Sequence, residues 1–191
     1  MREFVRAFGT RRDGTASLEF AFAAPIVILA IVGILEIAML LFANAVVEGA
    51  VRSAARFGLT GQTTPGVSRE DVIVQKIRDS SLGLVEIGPE DIDILIYPSF
   101  TDVGRPEPFD DANGNGSFDA GEPFSDVNGN GQWDPDMGAA GAGGPGEVVV
   151  YRVRYAWPMM TGLLAEQFGD RVDLGASIAV RNEPFDAAGG S

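Results

Sequence analysis

The sequence contains no cysteine and no histidine. Without cysteine neither a disulfide framework nor a thiolate site is possible. Without histidine, imidazole zinc sites, Ser-His-Asp triads and the commonest general base are excluded. Basic residues are scarce as well, 14 Lys and Arg against 27 Asp and Glu, for a net charge of −13. A chain of that balance repels phosphate backbones, so nucleic acid is not an expected partner. What chemistry remains must run on carboxylates, lysine, tyrosine or a hard metal ion. At 191 residues the chain has room for one modest domain beside an anchor.

The anchor is residues 20–43 (FAFAAPIVILAIVGILEIAMLLFA), apolar except for Glu36. At about 1.5 Å rise per residue this run reaches roughly 36 Å, against about 30 Å of hydrocarbon. A soluble core helix would show polar residues every third or fourth position; this one does not, and a membrane span is expected. Arg2, Arg6, Arg11 and Arg12 precede it and Glu48 follows, which is expected to place the N-terminus on the cytoplasmic side and the C-terminal part outside. The alternative is a cleaved secretory signal, since Ala43-Asn44-Ala45 has the small-x-small form and Arg11-Arg12 the twin-arginine form. An h-region of about 7–15 residues is far exceeded, and Asp13-Gly14-Thr15 stands where a hydrophobic residue should follow the arginine pair.

Two residues interrupt the span. Pro25 lacks an N–H and crowds the carbonyl of Ala21, so a kink is expected early in the helix. Glu36 costs about 2.5–3.5 kcal/mol near a helix centre. It faces either a partner helix or the headgroups, and residues 18–35 are long enough to allow the second.

Between leader and span the chain reads Gly14-Thr15-Ala16-Ser17-Leu18-Glu19-Phe20. Beyond the span, residues 44–57 (NAVVEGAVRSAARF) are Ala-rich and free of proline, so one helix continues outward as a stem. The Gly-x-x-x-x-Glu-Phe junction, Ala24-Pro25, Gly33-Ile34-Leu35-Glu36 and Ala54-Ala55-Arg56 together resemble the TadE-like family. The run Leu174-Gly175-Ala176-Ser177 to Arg181-Asn182-Glu183-Pro184-Phe185 is similar to that family's ending. The resemblance implies a minor pilin or pseudopilin of a tight-adherence, Flp-type pilus, a prepilin peptidase cutting after Gly14, and other pilin subunits and assembly machinery as partners. Thr15 would become the mature N-terminus and Glu19 its fifth residue, able to neutralise the new α-amino charge. The plainer alternative is that Gly14 ends a leader and Glu19 marks the membrane boundary.

The remaining chain reads as α+β. Ser68 with Asp71 fits a helix N-cap, with a helix to about Ser80 and Gly83 at its end. Strands are expected at 92–97 and 147–156, and at 172–181 with Val172, Leu174, Ala176, Ile178 and Val180 on one face. A short helix is expected at 158–168 with Pro158 in its first turn. The domain expectation is a leader (1–14), a span and stem (15–60), an exported domain (61–98 and 147–191) and an acidic insertion (99–146).

The insertion repeats Asp-x-Asn-Gly-Asn-Gly at Asp111 and Asp126, an offset of 15 residues. The first copy, DANGNGSFDAGE, matches the twelve-residue EF-hand calcium loop at every ligand position. Asp111, Asn113 and Asn115 would supply side-chain oxygens, Ser117 its carbonyl, Asp119 a direct or water-mediated contact, and Glu122 two closing oxygens. Gly116 stands at the turn that favours glycine. The second copy keeps Asp126, Asn128, Asn130, Gln132 and Asp134 but has Met137 in the closing place. There Asp136 is the candidate substitute and a weaker site is expected. Phe118 and Trp133 occupy the apolar positions through which paired loops pack. Pro106, Pro108, Pro123 and Pro135 exclude flanking EF-hand helices, so a structural calcium role is expected over a sensing one. The competing description is a disordered acidic linker, because Asp, Asn and Gly are ordinary turn residues.

Three functions follow: a TadE-like minor pilin, an unprocessed membrane-tethered binding module, and a calcium-dependent hydrolase. The third is set aside because the loop carboxylates are committed as ligands and no spare base converges with them.

Overall fold

A computed structural model of the chain describes residues 13–62, 65–162, 165–166 and 169–184. The leader residues Arg2, Arg6, Arg11 and Arg12 lie outside them, as does Phe185. Helix α1 runs unbroken from Asp13 to Leu59 and continues through Pro25. Helix α2 is Arg69–Ser80. Strands follow at β1 (Ile92–Tyr97), β2 (Ala139–Ala140), β3 (Val148–Pro158) and β4 (Arg171–Arg181). The sheet order is β2-β1-β3-β4. β1 pairs antiparallel with β3 from Ile92↔Val153 to Tyr97↔Val148, and with β2 through Leu95↔Ala140 and Ile96↔Ala139. The fold class is therefore α+β, as expected.

The chain divides into two compact units. One comprises Met1–Phe42 and Pro158–Val172. Its helical part is apolar and outward-facing, with Phe20, Phe22, Ile26 and Ile34 all more than 65% exposed. The stretch Ala16–Leu59 contains a segment long and apolar enough to cross a membrane.

The other unit, Ala43–Trp157 with Asp173–Ser191, has an ordinary core. Its part of α1 buries Ala43, Val47, Ala50, Val51, Ala54 and Ala55, a stripe at helical spacing. Small residues let the helix come close: a Cβ on Gly58 would stand 2.0 Å from Tyr151 Oη. Tyr155 Oη donates to Asn44 Oδ1 at 3.0 Å. Ile73 and Ile77 of α2 are fully buried, as are Val148, Val149, Tyr151 and Val153 of β3.

Local expectations hold for α2, where Ser68 Oγ accepts from Asp71 N–H at 3.0 Å. They hold for β4, where Val172, Leu174, Ala176, Ile178 and Val180 are the more buried residues of a strict alternation. One correction concerns Pro158. It closes β3 instead of opening a helix, which fits proline's tolerance at strand ends. Gly162, Ala165 and Glu166 are helical, while 163, 164, 167 and 168 lie outside the described residues. β2 was not anticipated within the glycine-rich run. Its two alanines pair with the edge of β1, and buried Asn182 ties down the run that follows, donating from Nδ2 to the carbonyls of Ala142 and Gly144.

Candidate functional sites: a paired acidic loop and an acid in the apolar helix

The insertion forms two loops, each tied by hydrogen bonds from backbone N–H groups to its own Asp and Asn side chains. In the first, Asp111 Oδ1 accepts from the N–H groups of Gly114 and Asn115, and Oδ2 from Gly116. Asn113 Oδ1 accepts from Asn115 N–H and Asn115 Oδ1 from Ser117 N–H. In the second, Asp126, Asn128 and Asn130 repeat every one of these bonds with Gly129, Asn130, Gly131 and Gln132. Both turns need left-handed backbone, with Gly116 at φ 77° and Gly131 at φ 80°, which glycine adopts without steric cost.

The loops are related by an approximate two-fold. Asp110 N–H donates to Pro123 O and Ser125 N–H to Pro108 O, both at 2.8 Å, around the bridge Phe109↔Phe124. Phe118 and Trp133 stack with centroids 4.6 Å apart, and Phe109 and Phe124 meet them edge-on at 5.7–5.9 Å. These four rings form the insertion's own small core, and aromatic contacts of this geometry add about 0.5–1.5 kcal/mol each beyond burial.

The two-fold reveals a residue that sequence reasoning missed. In the first loop Glu122 accepts from Ala112 N–H (3.0 Å) and Asp119 N–H (2.9 Å). In the second, Glu107 does the same work. Its Oε1 accepts from Val127 and Asn128, at 2.7 and 3.2 Å, and its Oε2 from Asp134 at 3.1 Å. The backbone agrees, with Glu122 N–H donating to Asp119 O and Glu107 N–H to Asp134 O. Each loop is thus closed by the glutamate that opens the other. Glu107 is fully buried. The signal was legible: Glu107-Pro108-Phe109 and Glu122-Pro123-Phe124 stand 15 residues apart, so the repeat unit begins at Glu107 and not at Asp111.

The same geometry explains why the second copy ends in methionine. Met137 is buried with Tyr97, Val148 and Val150, flanked by Leu95 and Val103, and pins the insertion to the sheet. Asp136 is turned away from the loop. Its Oδ1 accepts from Tyr97 Oη at 2.7 Å and its Oδ2 lies 3.5 Å from Arg152. Burial, then the bond to Asp136, pushes the Tyr97 phenol up to about 12.

The donor sets of the loops mix carboxylates with carboxamides. Among the described residues no group of three or more Asp and Glu is gathered closely enough to hold a metal by itself. What converges are Asp119 Oδ2 with the Nδ2 groups of Asn113 and Asn115, and Asp134 Oδ2 with those of Asn128 and Asn130. No lysine or arginine lies between Glu107 and Asp136, and each of these aspartates is met by the N–H groups of two carboxamides.

The second site is in the helix. Glu36 is 4% exposed. Its Oε1 accepts from Met160 N–H at 2.7 Å and Thr161 N–H at 3.2 Å, and its Oε2 from Thr161 Oγ1. The acid thus has partners within its own chain and needs no second helix. Gly14, Thr15 and Glu19 fall in the first turns of α1, with Glu19 exposed.

These features define a class: an α+β protein whose first helix begins as an exposed apolar segment and ends as a core element. Within that class, residues 14–56 match the family model described as TadE-like protein. The match covers most of α1 and nothing after it, so the likeness is one of anchor and stem. Neither a curated protein nor a solved structure matches the chain.

Proposed function

We propose that the chain is a TadE-like minor pilin or pseudopilin that takes part in assembling a tight-adherence, Flp-type pilus for surface attachment. The observation that carries this reading is the family match beginning at Gly14, the residue after which a prepilin peptidase would cut. The protein sits in the bacterial inner membrane with its basic leader inside and its C-terminal domain exported. Cleavage after Gly14 removes the arginines that hold the helix on the cytoplasmic side. The exposed apolar surface of α1 then packs against other pilin helices. No catalytic role is proposed. In the host, deletion of the gene should abolish attachment, and the wild-type chain should restore it. A variant Gly14→Ala that is expressed but left uncut should not; full attachment by that variant would overturn the reading.

The insertion adds a calcium-stabilised element. Asp111, Asn113, Asn115, Asp119, Glu122 and the Ser117 carbonyl would hold one ion. Asp126, Asn128, Asn130, Asp134 and the Gln132 carbonyl would hold a second, with Glu107 in the closing place. An ion in either ring supplies the positive charge that the carboxamide N–H groups now present to Asp119 or Asp134. Affinities of about 10⁻⁴–10⁻³ M suit an external setting. Chelation should raise protease sensitivity between Arg105 and Gly146, and unchanged protection would rule the calcium role out. A second reading, an unprocessed single-span calcium-binding surface module, shares this element and differs only in keeping Met1.

A further inference from the structure

The start of the connection between β3 and β4 is joined to the apolar helix. Pro158–Val172 belongs to the same compact unit as the helix up to Phe42. The join is made by Glu36, which takes both backbone N–H groups of Met160 and Thr161 and the Thr161 hydroxyl. Met160 itself is 65% exposed. Among the described residues of the connection, the charged Glu166, Asp170 and Arg171 come later and are exposed.

The depth of Glu36 along the helix decides what Met160 meets. Residues 18–35 span about 27 Å, close to a hydrocarbon thickness of about 30 Å. If the bilayer ends there, Glu36 and Met160 sit at the headgroup boundary. If it instead extends to Phe42, which is 53% exposed, Glu36 and Met160 lie about 9 Å inside it. Either placement sets an exposed methionine against lipid. The contact also lowers the usual cost of an acid at that depth, since Glu36 arrives already hydrogen-bonded.

We infer that the start of the β3–β4 connection, at Met160 and Thr161, is a second membrane-contacting element that rests Met160 in the lipid interface while Glu36 holds it to the helix. Its occupant is the bilayer surface. The inference rests on the reading of α1 as a membrane span, and the test separates the two. Because the chain has no cysteine, single cysteines at Leu29, Met160 and exposed Glu90 can each carry a nitroxide. The full-length chain is placed in phosphatidylcholine–phosphatidylglycerol vesicles at a low protein-to-lipid ratio. Collision with oxygen against collision with a water-soluble nickel chelate then reports depth. Labels at Leu29 and Met160 should favour oxygen several-fold over the label at Glu90. Lipid values at Leu29 with aqueous values at Met160 overturn the loop proposal and leave the span standing, whereas aqueous values at both overturn the span. Shielding of Met160 from both reagents means that protein covers it, and overturns the lipid assignment. Glu36→Leu should move the Met160 label toward the aqueous value while leaving Leu29 unchanged. No movement would show that Glu36 does not hold the loop.

Discussion

Replacing Glu107 with alanine strips an acceptor from three backbone N–H groups, those of Val127, Asn128 and Asp134. A donor left without its partner costs about 1–3 kcal/mol, and bonds to a charged acceptor lie toward the upper end. All three donors are partly buried, so water replaces the carboxylate only in part. A loss of about 3 kcal/mol follows, a large share of the 5–15 kcal/mol that holds a typical domain. Glu122→Ala offers the internal comparison. It frees two N–H groups in a solvent-exposed setting, and should cost about 1 kcal/mol. Glu107→Gln falls between, because its amide can face Val127 and Asn128 with oxygen but then sets N–H against N–H at Asp134. Urea unfolding of the full chain in detergent with a chelator present, followed by Trp133 fluorescence, measures the series without calcium. A Trp157→Phe background removes the second indole, whose N–H is buried without a partner. A loss at Glu107→Ala below about 0.5 kcal/mol, or one smaller than that at Glu122→Ala, would refute the exchanged-glutamate closure.

Gly58→Ala should destabilise by about 1–3 kcal/mol through its clash with Tyr151, whereas Gly49→Ala, which meets nothing within 4 Å, should be neutral or stabilise by up to about 1 kcal/mol; thermal unfolding checks both. Tyr97 carries a pH dependence of known sign. Its phenol, normally near 10, is held protonated in the fold up to about 12. The stability it contributes is complete below about 10 and falls as pH rises from there to about 12, by on the order of 2 kcal/mol. Tyr97→Phe should flatten that alkaline decline, measured by urea midpoints at successive pH values. Calorimetric titration with calcium should give two ions per chain, and one for Glu107→Gln; two ions in the variant would place the second site elsewhere.

The elements with strong local chemistry were legible in the residues. Ser68 with Asp71 marks the start of α2, the alternation from Val172 to Val180 marks β4, and the apolar run marks the part of α1 long and apolar enough to cross a membrane. Features decided at a distance were less so. Pro158 reads as a helix start because its neighbours favour helix, yet β3 carries through it as a strand end. Glu36 read as facing a partner helix or the headgroups because its partners, Met160 and Thr161, lie far along the chain. Glu107 was overlooked because the loop pattern directs attention to a closing residue after each copy. The chain instead closes each copy from before the other, and only the rearward extension of the repeat reveals it. Met137 and Asp136 then look like degenerate ligands until Tyr97 and Arg152 are seen to claim them for the sheet.

The central claim is that α1 is an anchor that is cut for assembly, and the N-terminus of the mature protein tests it most directly. Intact-mass and N-terminal sequence measurements on protein from the host membrane should find a chain that begins at Thr15. A chain that still begins at Met1, or one that begins at Val46 after cleavage behind Ala45, would contradict the account.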